Sequence, residues 1–225
     1  MWLFGKYSVL IKGGCFTMKF FKKFDYNAPV TLTFALLCLI LTGAGALFGY
    51  DKIANIFAVQ NGSSWLNPMT YVRFFTQVIT HGSWAHFSGN IMLILVLGPI
   101  LEEKYGSKTI LEMICLTALI SGLSFRFFYP ANTILLGASG IVFMFIFLAS
   151  VTNVKEGTIP ITLILILVLY VGGEVIDIAK NDNVSQVAHI VGGILGAAFG
   201  MFIAKTGGVN ADKDKSSSSG SYLDM

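Results

Sequence analysis

Long apolar runs separated by short polar stretches dominate the chain, and their lengths predict membrane-spanning helices. A bilayer core of about 30 Å needs about 20 apolar residues per helical span. Six such runs lie near Val30–Phe48, His86–Leu101, Thr109–Phe128, Leu135–Val151, Ile159–Ile176 and Val187–Ala204. The pattern therefore predicts an all-α membrane protein in which six transmembrane helices form one compact bundle.

The stretch between the first two runs, Tyr50 to Ala85, mixes aromatic residues with glycine, proline and short amphipathic segments. It is too polar to span a membrane and too apolar to be a free linker. We therefore expect a partly embedded external loop with short helices in the interface, and with Trp65 and Tyr71 at the level of the headgroups. An ordinary surface loop is the alternative.

Composition supports the membrane assignment. Hydrophobic residues make up 55% of the chain and charged residues 12%, and the mean hydropathy is +0.74. A soluble globular domain has a different balance. We expect a cytoplasmic segment over residues 1–28, a six-span domain over residues 29–205, and a serine-rich, disordered cytoplasmic tail over residues 206–225.

The first run is long and lacks a persuasive small-x-small cleavage site, so we expect it to stay in the membrane rather than to be removed as a signal peptide. The sequence leaves open whether Met1 or Met18 is the start. Cys15, Cys38 and Cys115 are odd in number and suggest neither a disulfide framework nor a metal site.

Basic residues predict the orientation. With the N-terminus in the cytoplasm, eleven of the fifteen basic residues lie inside and four lie outside, which agrees with the positive-inside rule. The inside set is Lys6, Lys12, Lys19, Lys22, Lys23, Lys104, Lys108, Lys155, Lys205, Lys213 and Lys215, and the outside set is Lys52, Arg73, Arg126 and Lys180. We expect a multi-pass protein of the cell membrane with both termini cytoplasmic. The net charge of +3 largely reflects this asymmetry, so we expect no nucleic-acid partner.

Polar residues at the start of three apolar runs are the candidates for chemistry, because such groups are costly in hydrocarbon and are usually functional there. Asn90, Ser139 and His189 each lie a few residues after their helix enters from the predicted external face. At 1.5 Å per residue they should share one shallow layer.

Serine is a weak nucleophile unless a base accepts its proton, and histidine is the usual base. Ser139 and His189 can supply that pair. Glycines beside both residues, including Gly192 and Gly196 at a spacing of four, would let the fourth and sixth spans approach closely. No acid lies at that depth on the sixth span, so we predict a dyad rather than a triad.

Acyl transfer also needs donors for the developing oxyanion. His86 and Asn90 are four residues apart and share one helical face, so both could serve together with the backbone N–H of Ser139. The alternative is that these two residues are polar groups that satisfy backbone amides at the helix start.

The sequence resembles the rhomboid family of intramembrane serine proteases over essentially the whole six-span core. The matching pieces are Arg73-x-x-Thr76, His81-x4-His86-x3-Asn90, Glu102/Glu103 to Gly106, Gly137-Ala138-Ser139-Gly140 and Ala188-His189-x-x-Gly192-x3-Gly196. The resemblance implies a rhomboid bundle and an enzyme without a metal or a cofactor.

The resemblance also assigns roles. It implies that Ser139 is the nucleophile, that His189 is the general base, and that His86 and Asn90 are oxyanion-hole side chains. Structural roles are implied for His81 and Arg73, and the close-packed Gly192 and Gly196 are expected to be structural as well. Gly137 and Phe143 are expected to contribute to substrate binding.

Substrates in the family are typically single transmembrane helices, cut near their outer ends after a small residue where the helix unwinds easily. The resemblance implies such membrane-anchored partners, with the fifth span and the loop before the sixth gating their entry. Water from outside would resolve the acyl-enzyme.

The chain departs from the family pattern at Val72, where tryptophan is frequent, so the anchoring of the loop can differ. The family commonly has an aromatic residue against the catalytic histidine, which predicts that Phe143 stacks on His189. Phe145 and Phe147 are interpreted as core or lipid-facing residues.

Three enzyme classes do not fit. A metalloprotease would need H-E-x-x-H, an aspartyl intramembrane protease would need paired membrane aspartates, and an α/β-hydrolase would place its serine after a buried strand. Two other classes stay open: a catalytically silent rhomboid-like chaperone or quality-control binder, and a small transporter, although the paired broken helices of inverted repeats are absent.

Overall fold

A computed structural model of the protein describes residues 25–152 and 186–205, together with the helical positions 161, 164, 165 and 168. The predicted fifth span, residues 159–176, falls outside the described residues except at those four positions. The predicted cytoplasmic segment before residue 25 and the predicted tail after residue 205 also lie outside them.

Helices make up most of the described chain. In chain order they are α1 (Pro29–Phe48), α2 (Tyr50–Phe57), α3 (Pro68–Thr76), α4 (Trp84–Tyr105), α5 (Ser107–Phe128), α6 (Ser139–Thr152) and α7 (Gln186–Lys205), with a single 3-10 turn at Gln77–Ile79. Three of them, α1, α4 and α5, are long and apolar enough to cross a membrane, and the apolar parts of α6 and α7 are shorter. The prediction of a largely helical membrane protein is confirmed, whereas the count of six spans stays a prediction.

Two short strands correct the all-helical prediction. β1 (Val59–Gln60) pairs antiparallel with β2 (Ile134–Leu135), so that Val59 lies opposite Leu135. The predicted start of the fourth span at Leu135 is therefore wrong: that residue belongs to β2, and α6 begins at Ser139. The chain turns in between at Gly137, whose φ of +117° is outside the helical region and favours glycine.

The long connection, residues 49–83, joins α1 to α4 and contains α2, β1, α3 and the 3-10 turn. Short helices were predicted here and are present. Arg73 closes the connection on itself: its Nε donates to the Ile56 carbonyl oxygen at 3.0 Å, and its Nη2 donates to the Asn55 carbonyl oxygen at 2.7 Å. These carbonyls end α2 and lack partners within that helix, so the arginine stabilises the C-terminus of α2. Anchoring of Arg73 therefore does not require a tryptophan at Val72.

Glu102 ties the far end of α4 to the beginning of α1. The first turn of α1 lacks a side-chain cap of its own. The Glu102 carboxylate instead accepts hydrogen bonds from the backbone N–H groups of Val30 and Thr31, each at 2.9 Å, and from the Thr31 hydroxyl at 2.8 Å. A remote carboxylate thus satisfies the amides that a local cap would normally satisfy. This contact fixes the position of α1 against α4.

Helices α6 and α7 pack backbone against backbone. A Cβ built on Gly192 would collide with the carbonyl oxygen of Gly140, and one built on Gly196 would collide with the carbonyl oxygen of Met144. Glycine at both positions is what allows this approach. The close contact predicted from the glycine spacing is therefore present. Phe145 is fully buried in the core, and the Phe147 ring lies against Gly193, in agreement with the packing roles predicted for both.

Candidate active site

Ser139 is the first residue of α6, and the segment that leads to it is held by the long connection. The Gly137 N–H donates to the Gln77 carbonyl oxygen at 2.9 Å. The Ala138 N–H is directed at His81 Nε2, 3.4 Å away. Gly137 and Ala138 are buried, whereas Ser139 is partly exposed. The serine is therefore presented at the end of a fixed turn with part of its surface open.

Burial determines the protonation state of His81. Its side chain is 2% exposed and its ring meets the ring of His86 edge-on, with centroids 5.1 Å apart. Burial and, to a lesser extent, the neighbouring His86 lower the pKa of His81 to about 3. The imidazole is therefore neutral at physiological pH, which leaves Nε2 able to accept the hydrogen bond from Ala138.

His86 and Asn90 lie on α4 next to this turn. A Cβ built on Gly137 would lie 2.6 Å from Cε1 and from Nε2 of His86, so the ring covers the glycine directly. Asn90 is 8% exposed, and its Nδ2 has no hydrogen-bond partner among the residues that the structure describes. Ser83 caps α4, accepting a hydrogen bond from the His86 backbone N–H at 3.1 Å. Neither side chain is thus needed as a helix cap, which weakens the structural alternative raised from the sequence.

His189 lies on α7, one residue after the point where α7 touches the start of α6. The space beside the Gly140 Cα is closed by the carbonyl oxygen of Ala188, which a Cβ would approach to 3.2 Å. Phe143, one turn below Ser139, stacks on the His189 ring with centroids 4.4 Å apart and planes inclined by 6°. The stacking predicted from the sequence is present. Ser139 and His189 therefore each adjoin one backbone contact, between Gly140 and Ala188.

Two contributions to this region were not predicted. Gln77, 1% exposed, supplies the carbonyl that holds Gly137. The Ser121 hydroxyl of α5 is buried and lies next to Gly140, where a built Cβ would be 3.3 Å from its oxygen. Ser121 could have been identified from the sequence, because it is a polar residue within an apolar run of spanning length and such residues usually have a role. Gln77 carries no such signal.

The part of the chain with described coordinates contains no group of three histidine, cysteine or carboxylate side chains placed to hold a metal ion.

Comparison with known proteins decides the family. Residues 68–206, more than half of the chain, match the family model described as the Rhomboid domain. The chain belongs to the rhomboid family. Rhomboids are a family of intramembrane serine proteases, and the matched region of this rhomboid contains the turn before α6, the start of α4 and all of α7.

Two curated relatives are similar to this rhomboid. Rhomboid-like protein 11, chloroplastic, from Arabidopsis thaliana is 22% identical over 209 residues, which cover 87% of this chain and 74% of the plant protein. Rhomboid-related protein 1 from Caenorhabditis elegans is 32% identical over 160 residues, which cover 66% of this chain and 42% of the nematode protein. The chain thus aligns with less than half of the nematode rhomboid.

Proposed function

We propose that this rhomboid is an intramembrane serine endopeptidase that cleaves transmembrane helices of membrane proteins near their outer ends, with Ser139 as nucleophile and His189 as general base. One observation carries the proposal most strongly. The Ala188 carbonyl oxygen closes the space beside the Gly140 Cα, and this close packing of α6 and α7 supports the proximity of Ser139 and His189 that the proposal requires.

In the proposed mechanism His189 accepts the proton of the Ser139 hydroxyl as its oxygen attacks the carbonyl carbon of the scissile bond. A tetrahedral intermediate forms, and His189 then donates the proton to the departing amine. His189 then removes a proton from water as the water oxygen attacks the ester carbonyl, and it returns that proton to the Ser139 oxygen as the acid product departs. Ser139 is partly exposed, and this last step requires that its exposed side face water.

Three donors are available for the oxyanion in this proposal. The Ser139 N–H belongs to the first turn of α6, where amides have no partners within the helix. The Asn90 amide nitrogen is buried and uncommitted within the described structure. The His86 ring lies over Gly137, two residues before the nucleophile. Removing one such donor typically lowers the rate by about 10²–10³.

Phe143 and Gly137 are proposed to shape the site where substrate binds. The Phe143 ring stacks on His189 and holds its plane, and the missing side chain of Gly137 leaves the space that the His86 ring occupies. Arg73, His81, Gly192 and Gly196 are proposed to act structurally, through the contacts described above. The protein is an integral multi-pass membrane protein of the rhomboid family; residence in the cell membrane with both termini cytoplasmic is part of the proposal.

The test is cleavage of single-span model substrates in liposomes by the wild type, Ser139→Ala and Ser150→Ala. Ser150 lies on the same helix, and its hydroxyl donates to the Ile146 carbonyl oxygen at 2.8 Å, so it controls for loss of a serine hydroxyl from α6. We expect cleavage by the wild type and Ser150→Ala and none by Ser139→Ala. Cleavage by Ser139→Ala would exclude the assignment, and a folded wild type that cuts no substrate in the panel would favour a silent helix-binding rhomboid.

A further inference from the structure

Arg126 lies in the last turn of α5, where an arginine of a spanning helix ordinarily extends towards water or lipid phosphates. Its guanidinium is directed instead at the long connection. Nη1 donates to the Asn61 side-chain oxygen at 2.8 Å and lies 3.5 Å from the Gln60 carbonyl oxygen, and Nη2 donates to the Ser63 carbonyl oxygen. The guanidinium carbon lies 4.9 Å from the centre of the Trp65 ring. The Arg126 guanidinium therefore contacts several residues of the segment from Gln60 to Trp65 and holds that segment against the end of α5.

Asn61 connects Arg126 to residues 129–133, the segment that leads towards Ser139. It is buried, and both its backbone and its side chain are used. Its N–H donates to the Thr133 carbonyl oxygen at 2.9 Å, its carbonyl oxygen accepts from the Asn132 N–H at 3.0 Å, and its Nδ2 donates to the Tyr129 carbonyl oxygen. The pair Arg126–Asn61 thus joins the end of α5, strand β1 and the residues just before β2.

The register of the two strands depends on this junction. Gln60 pairs with Ile134 and Val59 with buried Leu135, so the Asn61–Thr133 hydrogen bond continues the same ladder by one residue. Because side chains alternate along a strand, a slip of one residue would turn Leu135 out of the core and expose it. Such a slip would also displace the turn that delivers Ser139, four residues after Leu135.

We propose that Arg126 is a positioning residue of the active site: through Asn61 it sets the register of β1 against β2 and thereby the path of residues 133–138 into Ser139. Its catalytic consequence rests on the proposed function, whereas the effect on register does not. Charged donors make the stronger hydrogen bonds, and removing Arg126 leaves its partly buried acceptors without that donor.

The test compares Arg126→Gln with Lys108→Gln in the full chain. Lys108 is on the same helix, its side chain is 90% exposed, and within the described structure it pairs with Glu112 at 3.8 Å, so the control removes the same charge without touching the contacts between Arg126 and Asn61. Hydrogen–deuterium exchange in detergent should be at least about tenfold faster over residues 131–138 in Arg126→Gln than in the wild type or in Lys108→Gln, as the loss of such a hydrogen bond implies.

Activity gives the second readout. We expect kcat/KM in liposomes to fall by about 10-fold to 100-fold for Arg126→Gln after correction for the folded fraction. Asn61→Ala combined with Arg126→Gln should cost no more than the worse single variant, because both act through one junction. If Arg126→Gln does not fold, Arg126→Lys, which keeps the charge but not the fork of donors, takes its place.

Unchanged exchange over residues 131–138 in the Arg126 variant would overturn the proposal whatever the activity. So would an equal loss of activity in Lys108→Gln, or additive losses in the double variant. A wild type that shows no proteolysis would refute the proposed function alone, since the exchange comparison still decides whether Arg126 sets the register.

Discussion

Adding one methyl group at Gly137 should separate backbone strain from damage to the site. The φ of this residue is +117°, a region that costs a residue with a side chain about 1–3 kcal/mol. The new Cβ of Gly137→Ala would also lie 2.6 Å from two atoms of the His86 ring. Carbon atoms pack at about 3.5–4.0 Å, so the ring must move by about 1 Å.

That displacement sets the expected magnitude. Misplacing a catalytic group by about 1 Å can cost about 100-fold in rate. We therefore expect Gly137→Ala to lose about 1–3 kcal/mol of stability from strain and about 100-fold in kcat/KM in liposomes. Stability is measured by unfolding in detergent, and activity on a single-span substrate at equal amounts of folded protein.

Two glycine controls separate the effect of backbone strain from the effect of the collision with His86. Gly49 also has a positive φ, +105°, but no atom of the described residues lies within 4 Å of a Cβ there, so Gly49→Ala adds strain without a collision. Gly43 is helical, and no atom of the described residues lies within 4 Å of a Cβ there, so Gly43→Ala adds neither strain nor a collision. In a His86→Ala background the collision disappears, and the stability cost of Gly137→Ala should shrink towards that of Gly49→Ala. Activity of Gly137→Ala equal to that of Gly49→Ala would refute the reasoning.

Three further outcomes are expected. The pKa of His81 is lowered from 6.5 to about 3 in the folded state, so the stability that its neutral form contributes is complete above pH 6.5 and is lost as the pH falls. Lowering the pH from 7 to 5 should therefore reduce the free energy of unfolding in detergent by about 2 kcal/mol more for the wild type than for His81→Gln. Parallel pH curves for the two proteins would contradict this. Glu102→Gln should destabilise the protein by about 1–3 kcal/mol, with faster amide exchange in the first turn of α1; unchanged exchange there would argue against its capping role. Phe143→Leu should lower kcat more than it raises KM, because the stacked ring orients His189, and an effect on KM alone would contradict this.

Helix positions were largely predictable because apolar runs of spanning length have one simple solution in a membrane. The predicted runs beginning at Val30 and Val187 start within one residue of α1 and α7. The start of α6 was missed because residues 135–138 carry no polar side chain, and hydropathy cannot distinguish a buried strand from the first turn of a helix. The glycine at position 137, which permits the turn, was the available signal.

Contacts between distant segments were not predictable from one sequence. Nothing local pairs Glu102 with Thr31, and nothing local sends Arg126 to Asn61 rather than to lipid. The strands β1 and β2 contain only two residues each, too few to show the alternation that identifies a strand. These features depend on tertiary packing, which overrides local preference.

Candidate site residues were easier to find than their supports. Ser139, His189, His86 and Asn90 stand out because polar groups are rare in apolar runs. Their supports are backbone carbonyls and ordinary polar residues such as Gln77, which look unremarkable in a loop. Phe143 is intermediate: its stacking on His189 was predicted from the family resemblance rather than from the apolar run.

The central claim is that Ser139 is a nucleophile made reactive by His189, and covalent labelling tests it most directly. The wild-type protein and His189→Ala are incubated with a fluorophosphonate in detergent, and the modified peptide is identified by mass spectrometry. We expect one adduct, on Ser139, that forms in the wild type and is lost in His189→Ala. An adduct on another serine, or equal labelling of Ser139 in both proteins, would contradict the account.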